Sequence, residues 1–294
     1  MTPEEAAREV RRIEITTRHL VRDIVAGEFS SAFRGRGVEF AEVREYQPGD
    51  DVRTIDWNVT ARLGSAYVKR YLEERELSVL FVVDSSASGG FGSRLRTKRE
   101  LGAEVTAVLA LAAMRNNDRI GAIFFTDRVE YHLAPAKGRR HVLRLISDLL
   151  TFEAAAGGTD LGAALAELEP TLRRRAVIFV LSDFLATGHE TVLGRLARRH
   201  DVVGLQLVDP RERTLPAAGM VTLWDPETGA WRRVDTDAPA VRDYFARQAE
   251  DFDRALAQTL RELNVDLLRL ETGKSYAEPL LTFFRRRERM REGR

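Results

Sequence analysis

A doubly wound α/β fold is predicted by three features of the chain: a mostly parallel sheet with one antiparallel edge strand, plus an N-terminal helix and a β-rich extension. The run Ser78-Val79-Leu80-Phe81-Val82-Val83-Asp84 is apolar without alternation, the pattern of a parallel strand covered on both faces. The run Ala176-Val177-Ile178-Phe179-Val180-Leu181-Ser182-Asp183 repeats it. From Ser78 onward such runs alternate with helix-period segments, as a parallel sheet flanked by helices requires.

Residues 4–26 read as one amphipathic helix, with Val10, Ile13, Ile15, Leu20, Val21 and Ile24 among Arg and Glu, ending at Gly27. Gly35 to Tyr46 alternates polar and apolar residues for part of its length and enters a Pro48-Gly49-Asp50-Asp51 turn, giving the β-rich extension. Arg44, Glu45, Asp50, Asp51, Arg53, Asp56 and Arg62 crowd around few apolar residues. They are expected to clamp the extension onto the main domain through ion pairs, with Tyr46 and Trp57 as apolar anchors; the alternative is a surface read by a partner.

Strand 78–84 is followed by helix 98–115, where Leu101, Val105, Val108, Leu109 and Ala112 recur at helical spacing. Strand 119–125 turns through Thr126-Asp127-Arg128 into 129–133 as the antiparallel edge. Helices near 138–152 and 160–173 precede strand 176–183, and helix 189–200 leads to strand 202–208. Asp225-Pro226-Glu227-Thr228-Gly229 between β-prone runs predicts an inserted hairpin at about 219–236, with Trp224 and Trp231 expected to pack under a neighbouring helix rather than stand exposed. A helix at 239–263 leads to strand 265–270. The end of the chain is a basic helix with six arginines and two glutamates after Phe284, expected to be a solvated helix end. The division this suggests is 1–77 and 78–294.

At 294 residues and 44% hydrophobic content the chain buries a full core. Its 46 Lys+Arg against 45 Asp+Glu leave no global field to draw nucleic acid or an anionic membrane. Zero cysteines exclude disulfides, thiolate zinc sites and cysteine nucleophiles. No apolar stretch approaches the roughly 18 residues needed to span a bilayer. Met1-Thr2-Pro3-Glu4-Glu5 is acidic where a secretory leader is basic, so a cytoplasmic protein without stable membrane insertion is expected.

The first strand ends in Asp84-Ser85-Ser86-Ala87-Ser88, and ligand groups in open α/β sheets gather beyond the carboxyl ends of strands. A carboxylate and two hydroxyls offer oxygen alone, which suits a hard divalent cation such as Mg²⁺. Thr159, in Gly157-Gly158-Thr159-Asp160, and Asp183, at the end of the later strand, are candidates to complete the set. Asp and Ser also cap backbone amides after strands, so the short motif alone is an ordinary turn. The neighbouring Gly89-Gly90-Phe91-Gly92 lacks the Lys-Ser/Thr of a P-loop and reads as a flexible connection.

Together, Asp84, Ser86, Ser88, Thr159 and Asp183 resemble the metal-ion-dependent adhesion site of von Willebrand factor type A domains. The resemblance implies that Ser86 and Ser88 ligate Mg²⁺ or Mn²⁺ directly, Thr159 directly or through water, and Asp84 and Asp183 through water, with one position left for a partner's carboxylate. The block from Glu39-Phe40 through Arg44-Glu45-Tyr46-Gln47-Pro48-Gly49-Asp50-Asp51-Val52-Arg53, Ile55-Asp56-Trp57, Ala61-Arg62 and Glu74-Arg75 is similar to domain-of-unknown-function family 58. Members of that family place this block before a von Willebrand type A-like domain and are commonly encoded beside MoxR-type AAA+ ATPases. Some also carry transmembrane helices upstream.

The expected role is therefore a metal-dependent adaptor or assembly factor, not an enzyme, whose partner donates an acidic side chain and works with a MoxR-type ATPase. A metal-independent scaffold is the alternative, and metal-assisted hydrolysis a more distant one. Of His19, His132, His141, His189 and His200 only His189 stands near a site segment, and at a helix start it is expected to lie on the surface.

Overall fold

The computed structural model describes residues 2–25, 32–33, 38–73, 76–155, 158–225 and 229–292. The chain forms two compact units, Arg34–Leu77 and the combination of Met1–Phe33 with Ser78–Arg294. This differs from a division at residue 77 in that the N-terminal helices belong to the larger unit.

The larger unit begins with α1 (Pro3–Thr16) and α2 (Arg18–Val25), so the segment read as one helix is broken at Thr17. The extension contains β1 (Val38–Glu45), α3 (Trp57–Leu63) and β2 (Tyr67–Glu73). Its strands pair antiparallel from Val38 opposite Glu73 to Glu45 opposite Tyr67, with a bulge at Phe40/Glu42. Several of the crowded charges serve local turns. Arg44 forks onto Asp50 at 2.9 and 2.7 Å, Asp51 caps the Arg53 amide at 2.9 Å, and Asp56 caps Asn58 at 3.0 Å. Trp57, expected as an anchor, is exposed because it starts a helix held by its cap rather than by burial. The Glu74-Arg75 and Gly35-Arg36-Gly37 portions of the sequence pattern lie outside the described residues.

The larger unit continues with β3 (Ser78–Asp84), α4 (Lys98–Arg115), β4 (Arg119–Phe125), β5 (Val129–Ala136), α5 (Arg139–Thr151), α6 (Leu161–Leu168), β6 (Val177–Ser182), α7 (Glu190–Arg199) and β7 (Asp201–Val208). The hairpin β8 (Met220–Trp224) and β9 (Trp231–Asp235) precedes α8 (Pro239–Glu262), β10 (Asp266–Glu271) and α9 (Ala277–Glu292). Six strands form one sheet in the order β10-β7-β6-β3-β4-β5. Every neighbouring pair is parallel except β4 with β5. This is the von Willebrand type A-like arrangement that the sequence predicts.

β3 connects forward to β4 on one side, whereas β6 connects to β7 on the other. The boundary between β3 and β6 is thus the point where winding reverses and a crevice opens beyond the strand ends. One face of the sheet packs Leu80, Val82, Ile178 and Val180 against α6, α7 and α8. On the other side α4 is buried around nearly its whole circumference because α1 and α2 cover it from outside, which is why its sequence lacks a polar stripe. Phe33 joins that layer, 5.5 Å from Phe179 and 5.7 Å from Phe284 between ring centres.

Two surface expectations are corrected. Trp224 and Trp231 are 54% and 68% exposed and face each other at 5.9 Å, while Val221, Leu223 and Val234 supply the hairpin's inward face. The alternation of the strands sends both tryptophans to the outer side. The arginine-rich helix end is only partly solvated: Arg287 is buried, pairs with Asp201 at 2.5 Å and lies 4.6 Å over the Phe33 ring. Among the described residues no helix is long and apolar enough to cross a membrane.

Candidate metal centre

At the winding reversal, Asp84 ends β3 and Ser182 ends β6, one step beyond the register pair of Val83 and Leu181. Backbone geometry therefore sets them side by side, and the Ser182 hydroxyl donates to Asp84 Oδ2 at 2.6 Å. Asp84 Oδ1 accepts the Ser86 amide at 3.0 Å, which folds the chain into a single 3₁₀ turn over Ala87–Gly90. That turn brings Ser86 Oγ to 3.1 Å from Ser88 Oγ, and Ser88 Oγ donates to Asp183 Oδ2 at 3.1 Å. Asp84, Ser86, Ser88 and Asp183 thus form one connected group.

Asp183 is held from its other oxygen, which accepts the Leu185 amide at 3.1 Å. The intervening Phe184 has φ 61° and is buried, a left-handed conformation uncommon for an aromatic residue and a form of strain associated with functional turns. In the glycine-rich stretch that follows Ser88, Gly92 is the closely packed position. A Cβ on Gly92 would stand 2.6 Å from both the Arg96 carbonyl oxygen and the Thr97 Cα, so only glycine lets the loop close onto the start of α4.

Thr159 lies at the same end of the sheet in the segment leading into α6. The Asp160 amide donates to the Thr126 carbonyl at 2.8 Å just past β4, and Glu130 Oε2 accepts the Ala155 amide at 2.7 Å. The strand that anchors this segment also accepts the Ser85 amide at Phe125 O, 2.8 Å. The loops carrying Asp84 and Thr159 are therefore both fixed to the end of β4.

Sequence reasoning missed Ser182, Lys98, Arg99 and Glu212. Lys98 is 2% exposed, and its ammonium donates to Asp183 Oδ2 at 2.8 Å and to Glu212 Oε1 at 2.6 Å. Arg99 donates to the Ser85 and Ser86 carbonyls, each at 3.3 Å. A signal for both was present: two cations in the first turn of a helix oppose its dipole and call for a local reason. His189 is a further correction. It is 3% exposed, with its ring 5.9 Å from Phe184, because the turn after Asp183 folds back over the start of α7.

Burial, reinforced by the charge of Asp183, pushes the Asp84 carboxyl up to about 6. Burial works against the Lys98 charge, but Asp183 and Glu212 outweigh it and hold the ammonium above its ordinary value. Glu212 is raised by burial, with Lys98 opposing. Among the described residues no group of three or more His, Cys, Asp or Glu side chains stands at metal-binding spacing. The two carboxylates and the serine hydroxyls are an all-oxygen donor set, which fits a hard cation of the Mg²⁺ type.

Fold and crevice together define a von Willebrand type A-like α/β domain carrying a carboxylate and hydroxyl cluster at its switch point. The chain belongs to the family described as "Protein of unknown function DUF58", whose model matches residues 42–255. It is 34% identical over 286 residues to uncharacterized proteins of Mycobacterium tuberculosis and Mycobacterium bovis, covering 96% of this chain and 90% of each relative. Among solved structures it is similar to an aerotolerance-related membrane protein from Bacteroides fragilis, with TM-score 0.50, 14% identity, and coverage of 73% of this chain and 99% of that one. The conserved hypothetical protein BatB from Bacteroides thetaiotaomicron aligns with TM-score 0.48, 15% identity, and coverage of 72% and 99%. At 14% identity the likeness to the Bacteroides fragilis structure is one of fold alone.

Proposed function

We propose that this chain is a metal-ion-dependent protein-binding module, an adaptor or assembly factor that works with a MoxR-type AAA+ ATPase. The reading rests on one observation: Asp84, Ser86, Ser88 and Asp183, drawn from two strand ends, share a continuous hydrogen-bonded group at the switch point. In this reading Ser86, Ser88 and Thr159 would hold Mg²⁺ or Mn²⁺ directly, and Asp84 and Asp183 would fix its waters. The ion would supply a Lewis-acidic position for a carboxylate from the partner protein.

Binding is favoured over catalysis because the crevice's carboxylates are committed to positioning. Asp84 accepts from Ser182 and Ser86, and Asp183 from Ser88, Lys98 and Leu185. The ATPase partnership is supported by the family resemblance of the extension.

Titration calorimetry with Mg²⁺ and Mn²⁺ tests the site. A saturable heat is expected for the wild type and none for Asp84→Ala, and equal responses in the two would refute it. Capture of the MoxR-type ATPase by the wild-type chain is expected to fail in chelator. Chelator-insensitive capture would support the metal-independent scaffold instead.

A further inference from the structure

We propose that Lys98 is a built-in counter-ion of this crevice that competes with the divalent cation for Asp183, and that Glu212 is the second seat to which the ammonium withdraws when the cation binds. The inference rests on the metal reading above and adds to it a control on affinity.

The geometry behind it is specific. Asp183 Oδ2 accepts both the Lys98 ammonium, at 2.8 Å, and the Ser88 hydroxyl, at 3.1 Å. The oxygen that links Asp183 to the serines therefore already faces a full positive charge. Asp84, Ser88, Lys98 and Asp183 line one cavity of about 20 Å³. Because the Ser88 hydroxyl and the ammonium share Asp183 Oδ2, a cation held by the serines and the ammonium are close neighbours in a poorly screened interior, where like charges repel strongly.

Glu212 does not follow the ammonium. Its Oε2 accepts the Asp209 amide at 2.9 Å, and Asp209, fully buried, in turn accepts the amides of Ser93 and Arg211, each at 2.8 Å. The second carboxylate is thus a fixed point, and Lys98 keeps a counter-charge whichever way Asp183 is used. Without it, withdrawal from Asp183 would leave a buried ammonium unpaired, a costly state. Lys98 also occupies the first position of α4, where the helix dipole disfavours a cation, so helix formation does not account for its presence.

The consequence is opposite effects from two variants. Removing Glu212's charge ties the ammonium to Asp183 and weakens cation binding. Removing both charges frees Asp183 and strengthens it. Calorimetric titration of Mn²⁺ into the full chain is expected to give about tenfold tighter binding for Lys98→Met/Glu212→Gln than for wild type, and several-fold weaker binding for Glu212→Gln alone.

Unchanged or weaker affinity in the double variant, with wild-type near-UV circular dichroism and no response from Asp84→Ala, overturns the role of Lys98 while leaving the metal site standing. A titration that persists in Asp84→Ala, or silence from wild type and double variant alike, overturns both. Should the methionine variant not fold, Lys98→Gln/Glu212→Gln keeps polar atoms at both positions and carries the same test.

Discussion

Asp84 sits where three demands meet: it ends a strand, caps a turn and stands next to a second carboxylate. Its carboxyl titrates at about 6 instead of the ordinary 3.8, so the folded chain holds this proton more tightly than the unfolded chain does. The sign follows. Between those two values stability falls as pH rises, and above about pH 6 the metal-free protein carries a penalty of about 3 kcal/mol from this group. Asp84→Asn is therefore expected to raise the melting temperature in chelator at pH 7.5 by about 5 °C, with the gap closing toward pH 4. Scanning calorimetry at the two pH values checks this, and the absence of a gap at pH 7.5 would count against it. The sequence made Asp84, Ser86, Ser88 and Asp183 visible because oxygen side chains at the end of an apolar strand are conspicuous. Lys98, 85 residues from Asp183, carried only the signal of a cation in the first turn of a helix, which does not say which carboxylate it meets.

At the scale of elements, α4 shows how a local signal positions a distant site. Thr97 and Glu100 form a reciprocal cap: the Thr97 hydroxyl accepts the Glu100 amide at 3.2 Å, and the Glu100 carboxylate accepts the Thr97 amide at 2.8 Å. That cap fixes the first turn from which Lys98 and Arg99 extend. Thr97→Ala is expected to cost about 1 kcal/mol. The urea midpoint should fall with an unchanged m-value; a wild-type midpoint would refute the cap's role. The helix was legible over 98–115 because its apolar spacing and its cap agree. The break between α1 and α2 was not. Thr16 and Thr17 turn their hydroxyls back onto the Arg12 and Ile13 carbonyls, at 2.8 and 2.6 Å, a local competition that the apolar periodicity running through both helices conceals.

For the whole molecule, the N-terminal helices are part of the larger unit's core. Phe33, buried between Phe179 and Phe284 and covered by Arg287, joins the amino-terminal segment to the sheet and the last helix. Phe33→Ala is expected to destabilise the chain by about 3–5 kcal/mol, read as a lowered midpoint in chemical denaturation; a change below about 1 kcal/mol would show that the segment packs loosely. Which runs are strands, and that two of them end in oxygen side chains, are set by composition and periodicity, and the sequence alone determined them. Which strand ends become neighbours was decided by the tertiary structure. The reversal of winding between β3 and β6 brings Asp84 to Ser182 and Asp183 to Lys98, and Lys98 also meets Glu212, 114 residues away. The reason is physical: periodicity records which face of an element is buried, whereas a buried charge is stabilised by whichever partner the topology delivers to it.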